Sequence, residues 1–254
     1  MAKSQLTVDI DRSAVRLSKV IDGEVSESHC FSFKDKTDFG YKEQLDQFLT
    51  QTNYRQEDWD EFSLSWYSEK STLLPYSIFG NVDTVATYKL SFGEGTPEND
   101  IDFNRIPEFT GVNIYEVPLW VKSFFIIRFP RMLIQHEGSH AIRGLFSQST
   151  YYLNAILIVH DTHFILMAVK DNELQFYNSF EYQNSDDLIY HTAHVLETKN
   201  WKETKGKLTL VPYYKEENQL LADFETKTKK IASFKQLEIT QHKNLINQYQ
   251  TLCV

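Results

Sequence analysis

The stretch LIQHEGSHAI, Leu133 to Ile142, contains the residues of this chain best suited to metal chemistry. Its HExxH pattern sets two imidazoles four residues apart. On an α-helix that is one turn and one face, so His136 and His140 could share a zinc ion with Glu137 as general base. The uncharged Gly138 and Ser139 and the apolar Ile142 fit the pattern, and His194 or Glu197 would supply a third ligand. Two features oppose it. Arg143 would lie on the face of both histidines and bring a cation beside the metal. Gly138 in a helix interior costs about 1 kcal/mol relative to alanine, whereas a Gly-Ser pair suits the end of a strand and the cap of a helix.

Two further stretches gather titratable side chains where the chain turns back on itself. VDIDRSAV, from Val8, carries Asp9, Asp11 and Arg12, and IVHDTHFI, from Ile158, carries His160, Asp161 and His163. His160 and His163 could take a metal or catalytic role, since histidines titrate near neutral pH. In the plainer alternative, Asp9 and Asp11 are alternating outward residues of a strand and the histidines are turn residues.

These residues need elements to position them. With 254 residues, 41% of them hydrophobic and 14% aromatic, the chain can bury a core in one large domain or two small lobes. A net charge of -9 without a basic block argues against nucleic acid or an anionic membrane as the main partner. The nearest basic cluster, Lys199, Lys202, Lys205 and Lys207 around Glu203, reads as a solvated loop. Two cysteines are too few for a disulfide framework or a cysteine metal cage. MAKSQLTVDI has no apolar signal core and no window reaches membrane-spanning length, so a cytoplasmic protein without membrane insertion is expected.

Strands are expected over Leu6 to Asp11, Ala14 to Ile21 and Val25 to Phe33, with a tight turn at Asp22-Gly23, then a helix over Tyr41 to Leu49 and a strand over Glu61 to Ser68. The same order returns later. Strands are expected over Ala155 to Val159, Phe164 to Val169 and Leu174 to Phe180, with a turn at DNEL. A helix over Asp186 to Glu197, capped by NSDD, and a strand over Lys207 to Val211 follow. Aligning GEV at Gly23 with NEL at Asn172 gives an offset of 149 residues (172 minus 23). A helix around Asn218 to Lys230, a short strand near Ile231 to Phe234 and a terminal helix complete the chain. Gly80 to Val117, which carries GEGTPEND, reads as loop-rich.

Two copies of a three-strand, one-helix unit resemble the fold of actin, Hsp70 and the sugar kinases, whose related lobes face each other across a nucleotide cleft. STLLPYSIF from Ser71, NIYEVP from Asn113 and Phe129-Pro130 further resemble a family of uncharacterised bacterial proteins with that fold. The resemblance implies an α/β protein with mixed sheets, a duplicated βββαβα actin-like ATPase (ribonuclease H-like) fold in two lobes. Residues 1–150 would form the first lobe, with a loop-rich insert near 80–117, and residues 151–254 the second lobe and terminal helix.

The resemblance also locates the nucleotide motifs. An Asp followed by glycines should open the first hairpin of each lobe, but Asp11 stands where glycine belongs, the second hairpin has no glycine, and VPYYKEEN from Val211 replaces a Gly-Gly turn. Carboxylates repel phosphates, and side chains block close backbone approach. The implied protein is a non-catalytic, macromolecule-binding or scaffold protein without ATPase activity or cofactor. Its partner would be another protein, and its inter-lobe cleft would carry Asp9, Asp11, Arg12, His160, Asp161 and His163. In this fold a strand and then a helix precede the second lobe. Arg131 to Glu137 would be the strand, Gly138-Ser139 the turn and cap, and Ala141 to Phe146 the helix, leaving no metal at His136 and His140. The alternatives are a zinc-dependent hydrolase at HEGSH and a divergent ATPase or kinase using Asp9.

Overall fold

The computed structural model describes residues 3–54, 59–148, 151–212 and 219–252. They form two compact units, Met1–Arg143 with Ile246–Val254, and Gly144–Leu245. The first begins with β1 (Ser4–Ile10), β2 (Ala14–Ile21), β3 (Glu24–Ser32), α1 (Asp38–Thr52) and β4 (Glu61–Trp66). With β8 (Leu133–His136) these strands make a sheet of order β3-β2-β1-β4-β8, in which β1, β2 and β3 are antiparallel and β1, β4 and β8 parallel. The second repeats this with β9 (Leu153–Val159), β10 (His163–Lys170), β11 (Glu173–Glu181), α6 (Ser185–Thr198), β12 (Gly206–Pro212), α7 (Gln219–Thr228) and β13 (Leu237–Gln241), in the order β11-β10-β9-β12-β13.

The duplication extends to backbone detail. Asp22 and Gly23 take φ of 50° and 82°, and Asp171 and Asn172 take 55° and 61°. Two consecutive positive φ values define the type I′ turn whose twist matches that of the strands it joins, which is why Asp, Asn and Gly occupy these places. Three residues before each turn the ladder slips by one, between Lys19 and Val20 and between Ala168 and Val169. Turns and bulges are therefore both separated by the 149 residues expected from the sequence.

Each sheet alternates in and out. Leu6, Val8 and Ile10 of β1 pack with Leu17, Leu64 and Trp66 against Tyr41, Leu45 and Phe48 of α1 and Trp120, Val121 and Phe124 of α4 (Leu119–Arg128). In the second unit Leu157, Leu166, Leu208 and Leu210 pack against Leu188 and Leu196 of α6 and Phe224 of α7. The NSDD cap forms as expected, with Asn184 Oδ1 accepting the N–H groups of Asp186 and Asp187.

Three expectations are corrected. The 80–117 region is largely ordered: β5 (Ser71–Pro75), β6 (Ile101–Ile106) and β7 (Gly111–Glu116) form an antiparallel sheet of order β5-β7-β6, accompanied by α2 (Tyr76–Phe79) and α3 (Thr84–Phe92). Its core is small, with Tyr88, Val112 and Ile114 buried under Phe79, Phe92 and Phe103. Strands of five or six residues leave too few apolar positions for periodicity to show. Ile231 to Phe234 is no strand, since Ala232–Phe234 forms a 3-10 turn and the edge strand is β13. Finally, Ile246–Val254, with most of α8 (Leu245–Thr251), group with the first unit rather than the second. No helix among the described residues is long and apolar enough to cross a membrane.

Candidate functional site

β1 turns its even residues to the apolar core, so Thr7 and Asp9 face the other way, onto a buried polar layer. Asp9 is fully buried and stands opposite Arg16 in the β1–β2 register. Its Oδ2 accepts from Arg16 Nε at 2.9 Å and from Asn247 Nδ2 at 2.8 Å, with Arg16 Nη2 ion-paired at 2.7 Å, and its Oδ1 accepts from Gln250 Nε2 at 2.6 Å. Asn247 also donates to Thr7 Oγ1 at 3.0 Å. A carboxylate out of water needs such a set of donors, because its desolvation is costly unless compensated. In the second unit, 149 residues on, the same cross-strand position holds Ile158 opposite Ile165.

Asp11 closes the hairpin tip. Its Oδ1 accepts from Ser13 N at 2.5 Å, Ser13 Oγ at 2.7 Å and Ala14 N at 2.8 Å. The concavity of backbone N–H groups that could hold a phosphate is thus filled by a carboxylate of the chain itself. Arg12 Nη2 reaches Glu116 Oε1 at 2.5 Å, and the Arg12 carbonyl accepts from Tyr41 Oη at 3.0 Å. Glu116 Oε2 further accepts from Thr96 Oγ1 at 3.1 Å and Tyr88 Oη at 3.3 Å. Burial pushes the Tyr88 phenol up to about 12, so it remains a donor to Glu116.

His160, Asp161 and His163 form the corresponding tip of the second unit. The turn closes through His160 N to His163 O at 2.8 Å, and Tyr182 Oη donates to the His160 carbonyl. His163 Nδ1 lies 2.8 Å from Thr162 Oγ1 and its Nε2 3.7 Å from Glu181. The structure therefore gathers Asp9, Asp11 and Arg12 in the first unit and His160, Asp161 and His163 in the second. Of VPYYKEEN, residues 213–218 lie outside the described residues.

HEGSH straddles a strand and a helix, but the helix begins earlier than expected. β8 ends at His136, and α5 (Glu137–Phe146) already includes Gly138 and Ser139. The cap is the imidazole: His136 Nδ1 accepts from Gly138 N at 3.0 Å, and Nε2 lies 2.8 Å from the Ser68 carbonyl and so bears the hydrogen. Both nitrogens of this neutral ring serve backbone groups. Because Gly138 lies in the first turn, it avoids the cost of an interior glycine. Ser139 instead joins a buried chain: it donates to Asn104 Oδ1 at 3.2 Å and accepts from Asn113 Nδ2 at 3.2 Å, while Asn104 Oδ1 also takes the His136 N–H at 2.8 Å. His140 lies one turn along, fully buried, with Nε2 3.4 Å from the Leu64 carbonyl. Burial above all pulls its pKa down to about 3, and it stays neutral. His136, Glu137, Ser139 and His140 are all inaccessible to solvent. Among the described residues no three His, Cys, Asp or Glu side chains converge as metal ligands. His194 and Glu197 lie on α6, where Glu197 pairs with Lys202 at 3.0 Å.

Sequence reasoning missed the groups that surround Asp9. Arg16 was accessible in principle, because residues equidistant from a tight turn face each other. Asn247 and Gln250 carry no local signal linking them to β1.

One protein-family model matches residues 1–249. The chain belongs to the DUF3822 family. That family is described as "Protein of unknown function (DUF3822)", and no curated protein matches this DUF3822 chain. Among solved structures it is similar to a Bacteroides thetaiotaomicron VPI-5482 protein with an actin-like ATPase fold and unknown function. The TM-score is 0.72, covering 99% of this chain and 96% of that one, at 14% identity. It is also similar to a chain of the PilM-PilN type IV pilus biogenesis complex, with a TM-score of 0.60 over 96% of this chain and 89% of that one, at 8% identity. These likenesses establish the actin-like ATPase fold of this DUF3822 member, with its two five-stranded mixed sheets.

Proposed function

We propose that this protein is a non-catalytic member of the actin-like fold that acts by binding another protein. The observation that carries the reading is the β1–β2 tip, where the Asp11 carboxylate occupies the backbone amides suited to a phosphate while Asp9 is consumed by Arg16, Asn247 and Gln250. A polyphosphate there would meet a fixed negative charge in place of free N–H donors. The fold is nonetheless kept in both units. The similar chain of the PilM-PilN complex was solved as part of a protein complex, which supports a binding role.

Thermal unfolding with Mg-ATP tests the loss of nucleotide chemistry. A site with a dissociation constant of about 10 μM, at about 1 mM nucleotide, would stabilise the fold by roughly 2.7 kcal/mol. For a chain of this size that raises the midpoint by roughly 5 to 11 °C. The expected shift is below about 1 °C, well under what such binding would produce. A reproducible, magnesium-dependent rise of several degrees overturns the reading in favour of a divergent ATPase or kinase using Asp9.

A further inference from the structure

The lysine-rich approach to β12, expected from sequence as a solvated loop, forms one side of a groove in the second unit. β12 starts between two parallel neighbours: Gly206 is in register with Leu153 of β9 and Leu237 of β13, and its N–H donates to the Gln236 carbonyl at 3.2 Å. At this end of the sheet, Tyr152, Asn154, Lys205, Gly206, Lys207 and Glu238 line a groove of about 340 Å³. A Cβ at Gly206 would lie 2.4 Å from the Leu153 carbonyl, so the floor closes only with glycine there. Residues 199–207 carry four lysines and one glutamate, and residues 229–238 three lysines and one glutamate. The Gly206–Gln236 hydrogen bond joins these two segments. The result is a local excess of positive charge on a chain of net charge -9. Lys202 is paired with Glu197, whereas Lys205 and Lys207 make no ion pair among the described residues. Beside them Tyr151 and Tyr152 pack edge to face, 68% and 63% exposed.

We propose that this groove docks an acidic peptide segment of a partner protein, an inference that rests on the binding role proposed above and gives that partner its chemistry. Three features favour a peptide over a nucleic acid or a membrane surface. The cations lining the groove are lysines, and the planar fork of arginine that suits phosphate is missing from the lining. Glu238 can accept backbone N–H groups, which a peptide offers and a phosphate lacks. The acidic remainder of the chain repels a long polyanion, whereas a short segment meets only this end. Tyr152 adds an aromatic face with a polar tip, a residue type enriched where peptides are held.

Fluorescence anisotropy of a labelled oligoglutamate peptide with the full chain tests this, alongside K205E/K207E and, as control, K42E on the exposed face of α1. The peptide should bind, weaken with added salt, lose affinity by about tenfold or more in K205E/K207E, and be retained by K42E. Circular dichroism at the assay temperature should show K205E/K207E folded, with a modest loss of midpoint because Lys207 is half-buried in register with Glu238. No peptide binding, equal binding by K205E/K207E, or equal weakening by K42E would overturn the proposal. Preferential, lysine-dependent binding of single-stranded RNA or phosphatidylserine vesicles would overturn it too. If the peptide fails while the Mg-ATP shift stays flat, only the groove assignment falls. A large Mg-ATP shift removes the binding-protein reading whatever the peptide does.

Discussion

At the residue scale, the Asp9–Arg16 pair and His140 both lie out of water, and each makes a measurable demand on stability. Removing one member of a buried pair leaves the other uncompensated, so Arg16→Met should cost about 3 to 5 kcal/mol by urea unfolding. The double variant D9I/R16I copies the Ile158–Ile165 pair of the second unit and should be less destabilised than either single change. A double variant weaker than both singles would mean that the pair stabilises beyond its own desolvation. For His140 the sign follows from a folded pKa near 3, below its unfolded value of 6.5. The stability linked to this neutral ring is fully present above pH 6.5, is lost as pH falls below it because the unfolded chain takes up the proton, and levels off below about 3. At pH 5 the loss is about 2 kcal/mol, and His140→Gln should flatten the slope between pH 4 and 6 by about 1.4 kcal/mol per pH unit. An unchanged slope would show that the ring is already charged in the folded protein.

At the element scale, turns and caps decide more than propensity does. Gly23 has a φ of 82° and no atom within 4 Å of where a Cβ would lie, so substitution there reports backbone strain alone. Gly23→Val should cost about 1 to 2 kcal/mol, and Gly23→Asn, which copies Asn172, clearly less, in parallel denaturant titrations. Equal costs would mean that the β2–β3 turn relaxes out of its left-handed form. His136→Ala removes both the α5 cap and the tie to Ser68. It should destabilise by at least the 0.5 to 2 kcal/mol (about 1 typically) of a lost cap. A chelator should leave the unfolding midpoint of the unmodified protein where it was. A midpoint lowered by the chelator, with stoichiometric zinc lost on His136→Ala, would instead assign HEGSH to a metal.

At the scale of the whole molecule, the actin-like fold is kept while the Asp11 carboxylate takes the backbone amides of the β1–β2 tip. If the proposed non-catalytic reading holds, reversing Asp11 alone is not enough. Asp11→Gly should leave the Mg-ATP midpoint shift below about 1 °C, because Asp9 stays engaged by Arg16, Asn247 and Gln250 and the second hairpin still carries His160 and Asp161. A shift of several degrees in this variant would show that Asp11 alone blocks the site.

Local patterns were enough to determine the duplication. Period-two strands, the Asp22-Gly23 and Asp171-Asn172 turns and the NSDD cap are encoded by neighbouring residues, whose backbone preferences act over a few positions. Tertiary structure alone decided what the side chains do. Asp9 meets Asn247 and Gln250 across more than 200 residues of chain, and the cap of α5 came from His136 because Ser68 and Asn104 hold its ring and backbone in place. The insert near 80–117 escaped detection because its small core joins Tyr88 of α3 to Val112 and Ile114 of β7, elements each too short to signal by themselves. The lysines at 205 and 207 read as loop charges until β9, β12 and β13 aligned their first residues and turned a solvated stretch into one side of a groove. Long-range pairing of this kind arises from burial and hydrogen bonding between segments whose separation a local pattern does not encode.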